Sequence, residues 1–238
     1  MSRPILLGLF SGLGGADMGY HRAGSDVIGV DIEPQPYYPF EFHQADAMEV
    51  LALLATGAEP WPGAPEFDGI VASPPCQFKT QMAASHRSRG FDDRPDLLTP
   101  TRSRLREIGK PYVIENVNGA KGSMATTLTL HGGMFGLGVH RPRRFESSEL
   151  LLGFEAPMCA EPIGVYGARP AKNWSTRLNG NMKGKRSVFR VARSLAEGQE
   201  AMGIDWGDWH GLTEAIPPAY TEYIGLQFIE AIQAGKAA

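Results

Sequence analysis

The opening third of the chain alternates short apolar runs with stretches of helical spacing. Ile5–Phe10 (ILLGLF) reads as a buried strand, Ser11–Gly15 as a glycine-rich turn, and Ala16–Ala23 as one helix closed by Gly24. Val27–Asp31 is a second strand with an acid at its end. A third strand near Phe42–Ala45 leads into a helix over Ala47–Ala55, and Gly57–Pro65 is a loop. Ile70–Ala72 is a fourth strand, stopped by Pro74-Pro75. A polar loop, a helix over Leu97–Ile108 and a strand over Tyr112–Glu115 follow. Far downstream, Tyr220, Ile224, Phe228 and Ile232 recur at helical spacing within Pro218–Ala234 and predict a closing helix. Strands separated by helices predict βαβ units and a mostly parallel sheet. Ligands of such sheets bind beyond the carboxyl ends of the strands. The glycine turn, Asp31, Pro75-Cys76 and Glu115 all fall there.

Composition narrows the class. With 238 residues, 42% hydrophobic and 21% charged, the chain is an ordinary globular one rather than a disordered one. Its apolar runs are too short to cross a bilayer, and the N-terminus lacks a secretory pattern, so a cytoplasmic protein without membrane contact is expected. Two cysteines, Cys76 and Cys159, supply neither a disulfide framework nor a metal-ligand pair, so no metal is expected. The net charge is −3, yet the basic residues Arg169, Lys172, Arg177, Lys183, Lys185, Arg186, Arg190 and Arg193 occur with no acid between them. That stripe is a local footprint for a polyanion.

Four motifs carry candidate chemistry. The turn Phe10–Gly15 meets G-x-G-x-x-G only through Gly12 and Gly14, with Asp17 in the third glycine's place. A tight packing turn explains it as well as ligand binding does. Asp31 is placed to take ribose hydroxyls and Asp46 an adenine amino group, although each alone also suits a helix N-cap or a solvated acid. Together with the turn they favour an adenosine-containing ligand. Ser73-Pro-Pro-Cys-Gln77 fixes the backbone just before a cysteine at a strand end, which suits a nucleophile, while an inert buried thiol is the plainer reading. Glu115-Asn116-Val117 places a carboxyl group at the neighbouring strand end, and Arg141-Pro-Arg143-Arg144 is either a solvated turn or an anion clamp.

These residues, in this order, resemble the DNA (cytosine-5)-methyltransferases. The likeness covers Ile5–Phe145 and Thr213–Ile232, and the combination of Pro-Cys-Gln with Glu-Asn-Val is its specific part. The resemblance implies a Rossmann-like α/β methyltransferase fold that uses S-adenosylmethionine. It implies that Cys76 attacks C6 of a flipped-out cytosine, Glu115 holds the ring through N3 and the exocyclic amine, and Arg141 and Arg143 support base and nucleophile. It implies a cofactor site lined by Phe10, Leu13, Gly14, Gly15, Asp31, Ile32, Asp46, Ala47 and Pro75, to which Thr213–Pro218, with Ile216, returns. Two departures stand out: Val139 where the family has glutamine, and Thr213-Glu214 where it has Gly-Asn.

Residues 1–146 and 211–238 would form the catalytic part, and 147–210 a reduced recognition region for double-stranded DNA. Lys79, Arg87 and Arg89 of the loop after Cys76 join Arg169, Lys172, Arg177, Lys183, Lys185 and Arg186 as DNA-contacting candidates. A monomer is expected, with a partner for target recognition as the other possibility, in a stand-alone or restriction–modification setting. Competing readings are transfer of another S-adenosylmethionine-derived group, an RNA substrate, a non-catalytic DNA-binding relative, and a dehydrogenase, which leaves Pro-Cys-Gln and Glu-Asn-Val unexplained.

Overall fold

The computed structural model describes residues 2–75, 96–125, 128–159, 161–167, 169–170, 177–182 and 185–237, with backbone alone at 121, 177–182, 185–189 and 237. A seven-stranded sheet carries the molecule. Its strands are β1 (Ile5–Leu9), β2 (Asp26–Asp31), β3 (Glu41–Gln44), β4 (Gly69–Ala72), β5 (Tyr112–Val117), β6 (Leu128–Leu130) and β7 (Arg143–Ser147), in the order β3-β2-β1-β4-β5-β7-β6. The first five are parallel, with Leu9 paired to Val30 on one side and Ala72 on the other. β7 runs antiparallel to β5, and β6 antiparallel to β7. This is the mixed α/β, mostly parallel sheet that the alternation predicts.

Successive β1 side chains enter opposite cores, as the two-residue period of a strand requires. Leu7 and Leu9 pack with Val50 and Leu51 of α2 (Ala47–Ala55) and Leu98 and Leu105 of α3 (Leu98–Ile108). Leu6 packs on the other face with Tyr20 of α1 (Gly15–Arg22) and with Tyr220, Ile224, Phe228 and Ile232 of α6 (Pro218–Ala237). The four apolar positions of the expected closing helix are thus all buried. Local signals set the ends: the Asp46 side chain accepts from the Met48 amide at 2.7 Å to start α2, and Gly109 at φ 73° stops α3.

The downstream region is more ordered than its weak periodicity suggests. Strands β8 (Ile163–Gly164), β9 (Arg177–Met182) and β10 (Lys185–Val191) form a second sheet in the order β8-β10-β9, followed by α4 (Leu195–Met202) and α5 (Trp209–Glu214). Their apolar side chains share a third core with Leu13 and Val139: Val165, Ala192, Met202, Ile204, Trp209 and Leu212. Among the described residues no helix is long and apolar enough to cross a membrane, and no group of metal-ligating side chains is assembled.

Candidate active site

Chain order reverses between β1 and β4: β1 to β3 step one way across the sheet, and β4 and β5 the other. In sheets of this kind ligands bind beyond the carboxyl ends of the strands that flank the reversal, here β1 and β4.

On the β1 side lies the glycine turn. Phe10 has φ 57°, alone among described non-glycine residues in the left-handed region, a conformation that costs on the order of 1–3 kcal/mol. The strain is held by the Ser11 amide, which donates to the Val30 carbonyl at 3.1 Å, and by the Gly14 amide, which donates to Ser11 at 2.9 Å. Gly14 (φ 80°) opens α1 with no side-chain cap, so the helix start keeps donors for a ligand. Gly12 has no atom within 4 Å of where a Cβ would stand. Its amide donates at 2.9 Å to Oδ2 of Asp31, whose Oδ1 accepts from the Glu33 amide at 3.0 Å. An acid at the tip of β2 is thus fixed beside an open glycine.

The remaining expected cofactor residues are placed unequally. Ile32 is exposed, whereas Ala47 and Leu13 are buried. Asp46 serves as the α2 N-cap. The Leu13 carbonyl accepts from Trp206 Nε1 at 3.0 Å, tying the turn to the downstream region. A Cβ on Gly15 would collide with the Ile216 carbonyl, so the return segment Thr213–Pro218 does reach the turn.

On the β4 side, Pro74 is buried and Pro75 exposed. Cys76 lies outside the described residues, as do Lys79, Arg87, Arg89, Lys172 and Lys183. The shoulder before it is fixed: Ser73 N donates to Leu9 O at 3.1 Å, and Asn116 Nδ2 to Pro74 O at 3.0 Å. Beside Asn116 stands Glu115, 7% exposed. Arg143 Nε lies 2.9 Å from Glu115 Oε1, across the β5–β7 pairing. Burial pushes the Glu115 carboxyl above its usual range, against Arg143, Arg141 and the Ser73 hydroxyl, which pull it down. A carboxyl group in this state can accept from an amine and, when protonated, donate to a ring nitrogen.

Arg141 is 1% exposed, and its guanidinium donates to the carbonyls of Val165 (3.2 Å) and Thr213 (2.5 Å). The Tyr220 hydroxyl donates to the Arg141 carbonyl at 3.0 Å. Arg141 thus joins the second sheet and the return segment to β7, while Arg143 is the arginine at the carboxyl group. Of the basic stripe, Arg169 is exposed, and Arg177, Lys185 and Arg186 are described by backbone only, on β9 and β10.

Two residues of this region are not among the expected site residues. Tyr38 donates its hydroxyl to Asp17 Oδ2 at 2.8 Å. Asp17 is buried beneath the turn, and burial lifts its carboxyl to about 6 against the pull of the Tyr38 hydrogen bond and the nearby Ser11 hydroxyl, with the Asp31 charge adding to the rise. The one hint was an acid where the dinucleotide fingerprint has glycine; nothing in the sequence marks Tyr38.

Residues 6–130 match the family model for C-5 cytosine-specific DNA methylase. The chain is 30% identical over 127 residues to the Type II methyltransferase M.AquIA of Picosynechococcus sp., covering 48% of each chain. It is 30% identical over 128 residues to the Type II methyltransferase M.XorII of Xanthomonas oryzae pv. oryzae, covering 50% of this chain and 29% of that one. The chain thus spans about half the length of the first relative and less than a third of the second. The Entamoeba histolytica methyltransferase EhMeth shares the fold, with a TM-score of 0.59 at 12% identity over 98% of this chain and 99% of that one. The family match runs from β1 through β6, across the glycine turn, the Pro-Pro shoulder and the Glu115 strand, and the chain belongs to the C-5 cytosine-specific DNA methylase family.

Proposed function

We propose that this protein is a DNA cytosine-C5 methyltransferase that works through a covalent Cys76 adduct. The observation that carries the reading is the juxtaposition at one switch point of two half-sites. One is the open glycine turn with Asp31. The other is the Glu115–Arg143 pair, hydrogen-bonded through Asn116 to the backbone two residues before Cys76. S-adenosylmethionine suits the first half-site: the uncapped α1 start favours its carboxylate and Asp31 its ribose hydroxyls. When bound there, it supplies an electrophilic methyl group. Gly12, Gly14 and Asp31 would hold it, with Ile32 and Ile216 at its edges.

Cytosine C5 is a weak nucleophile. Addition of the Cys76 thiolate to C6 makes C5 enamine-like and able to form the new carbon–carbon bond. Glu115 stabilises charge on the ring through N3, and Arg143 keeps that carboxyl group oriented. Loss of the C5 proton to a base then expels the thiolate and restores the ring. The target carbon is inaccessible in a stacked duplex, so the base is extruded toward Glu115. The region 147–210, with its basic stripe, serves as the reduced recognition part, and residues 1–146 and 211–238 as the catalytic part. The expected form is a cytoplasmic monomer acting on duplex DNA.

The test is nucleoside mass spectrometry of duplex DNA incubated with the protein and S-adenosylmethionine. Expected are 5-methylcytosine from the wild type and none from Cys76→Ala. A duplex with 5-fluorocytosine at the target should cross-link to the wild type alone. Methylation by Cys76→Ala would sink the covalent mechanism, and a mass gain other than one methyl group would change the transferred group.

A further inference from the structure

We propose, resting on the reading of the switch-point crevice as an S-adenosylmethionine site, that Tyr38 is a positioning residue of that site. Its ring and hydroxyl latch residues 32–40 onto the floor of the glycine turn through Asp17, and so set where Ile32 stands relative to Gly12.

The latch is built from space as well as polarity. A Cβ on Gly14 would stand 2.8 Å from Tyr38 Cδ2 and 2.9 Å from Pro39 Cδ, and one on Gly29 of β2 would collide with the Tyr38 ring and hydroxyl. The ring thus crosses the turn and the strand where neither carries a side chain. At its far end the hydroxyl donates to Asp17 at 2.8 Å. The Asp17 carboxyl in turn fills the space over Gly8 of β1, where a Cβ would be 2.7 Å from Oδ1. One phenol therefore joins β1, β2, α1 and the segment that carries Ile32 out of β2.

Charge makes the arrangement informative. The groups facing Asp17 are Tyr38 from the segment, Ser11 from the turn, Asp31 from the tip of β2 and Tyr20 from its own helix. Among the described residues, no cation is one of them. A buried carboxylate without a counter-ion is costly, and such groups cluster at functional sites. The Tyr38 hydroxyl is its main donor, and a hydroxyl binds a carboxylate more strongly than a carboxylic acid. The latch therefore tightens as Asp17 ionises, near pH 6.

The experiment is calorimetric titration of the full chain with S-adenosylmethionine between pH 5 and 8, for the wild type, Tyr38→Phe and Asp17→Asn. Wild-type affinity should weaken severalfold below pH 6. Tyr38→Phe should bind roughly tenfold more weakly at pH 8, the effect expected of one lost hydrogen bond to a charged group, with a flattened pH profile. Asp17→Asn keeps an acceptor for the hydroxyl. Being neutral at every pH, it should bind at pH 8 about as weakly as the wild type does below pH 6, severalfold down, and show no step near pH 6. Hydrogen exchange of the 32–40 amides should quicken in Tyr38→Phe. Wild-type affinity and pH profile in Tyr38→Phe, or a persistent step in Asp17→Asn, would overturn the latch and leave the cofactor site standing. A wild type that binds no S-adenosylmethionine at any pH would overturn the cofactor reading and the latch with it.

Discussion

Glu115 and Asp17 are both buried acids at the same crevice, but their surroundings differ. Glu115 has Arg143 within 2.9 Å; Asp17 has a phenol and a neighbouring carboxylate. Two predictions separate them. Glu115→Gln keeps the shape but removes the charge-bearing oxygen at the base, so methyl transfer should fall on the order of 10²–10³-fold, measured as single-turnover rate. Cofactor affinity, read by calorimetry, should be unchanged, and a matching loss of affinity would show that Glu115 acts on the wrong half-site. For Asp17 the fold favours the protonated form, because the folded pKa of about 6 lies above the usual 3.8. Its contribution to stability is therefore greatest below pH 4 and declines as pH rises through 6. At pH 8 the ionised group costs up to about 3 kcal/mol. Asp17→Asn should raise the melting temperature at pH 8 by several degrees and remove that pH dependence; a melting curve that shifts equally at pH 5 and pH 8 would refute the assignment. Glu115 and Asp31 are legible in the sequence as acids at the ends of apolar runs, and Arg143 only as part of the Arg-Pro-Arg-Arg run. Tyr38 is not, because its partner is 21 residues upstream and only the fold brings them together.

At the scale of elements, the sequence was legible where periodicity and punctuation agree. β1, β2, β4, α2, α3 and α6 stand within a few residues of their expected limits, since each is an apolar run bounded by a cap, glycine or proline. β6 and β7 were not read: β7, Arg143–Ser147, has three charged residues in five, and it survives because Phe145 and Glu146 are buried. Glu146 is held by Arg102 of α3 at 2.7 Å and by the Ala125 amide at 2.8 Å, a tertiary pairing that no local pattern reports. α4 and α5 escaped for a similar reason, their apolar positions being matched to Leu13 far away. The packing of α1 on α6 gives the sharpest test at this level. Thr221 Oγ1 donates to the Ala16 carbonyl at 2.7 Å, and a Cβ on Gly19 would collide with Thr221 Oγ1 and the Pro218 carbonyl, while standing 2.6 Å from the Glu222 amide. Backbone atoms cannot yield as a side-chain tip can. Gly19→Ala should therefore destabilise by about 3 kcal/mol, a melting-temperature fall of roughly 6–12 °C. A change under about 2 °C would mean that the helices are not packed this closely.

At the scale of the whole molecule, the charge distribution decides how a net-negative protein approaches a polyanion. Formal charge is −3, so on the proposed reading the average field repels DNA and attraction comes from the local stripe. Two of its cations are engaged within the protein: Arg190 and Arg193 both pair with Glu197, at 2.5 and 3.1 Å. Despite some cost of burial, those partners and the Arg193 amide hold the Glu197 carboxyl down at about 2. These contacts fasten the end of β10 to α4. On the proposed reading, Arg169, Lys172, Arg177, Lys183, Lys185 and Arg186 remain as the candidate phosphate-binding set. If all six neutralise phosphates, the slope of log K against log salt should approach about −5 for duplex DNA. Replacing Lys183, Lys185 and Arg186 together by alanine should make it shallower by nearly 3 and weaken binding equally on every sequence. Arg193→Ala should weaken the Glu197 anchorage and lower the melting temperature, yet leave the slope unchanged. Fluorescence anisotropy across a salt series reads both variants. A triple variant with the wild-type slope would move the DNA-binding surface away from this region, and a slope change in Arg193→Ala would place the Glu197 cluster on the DNA.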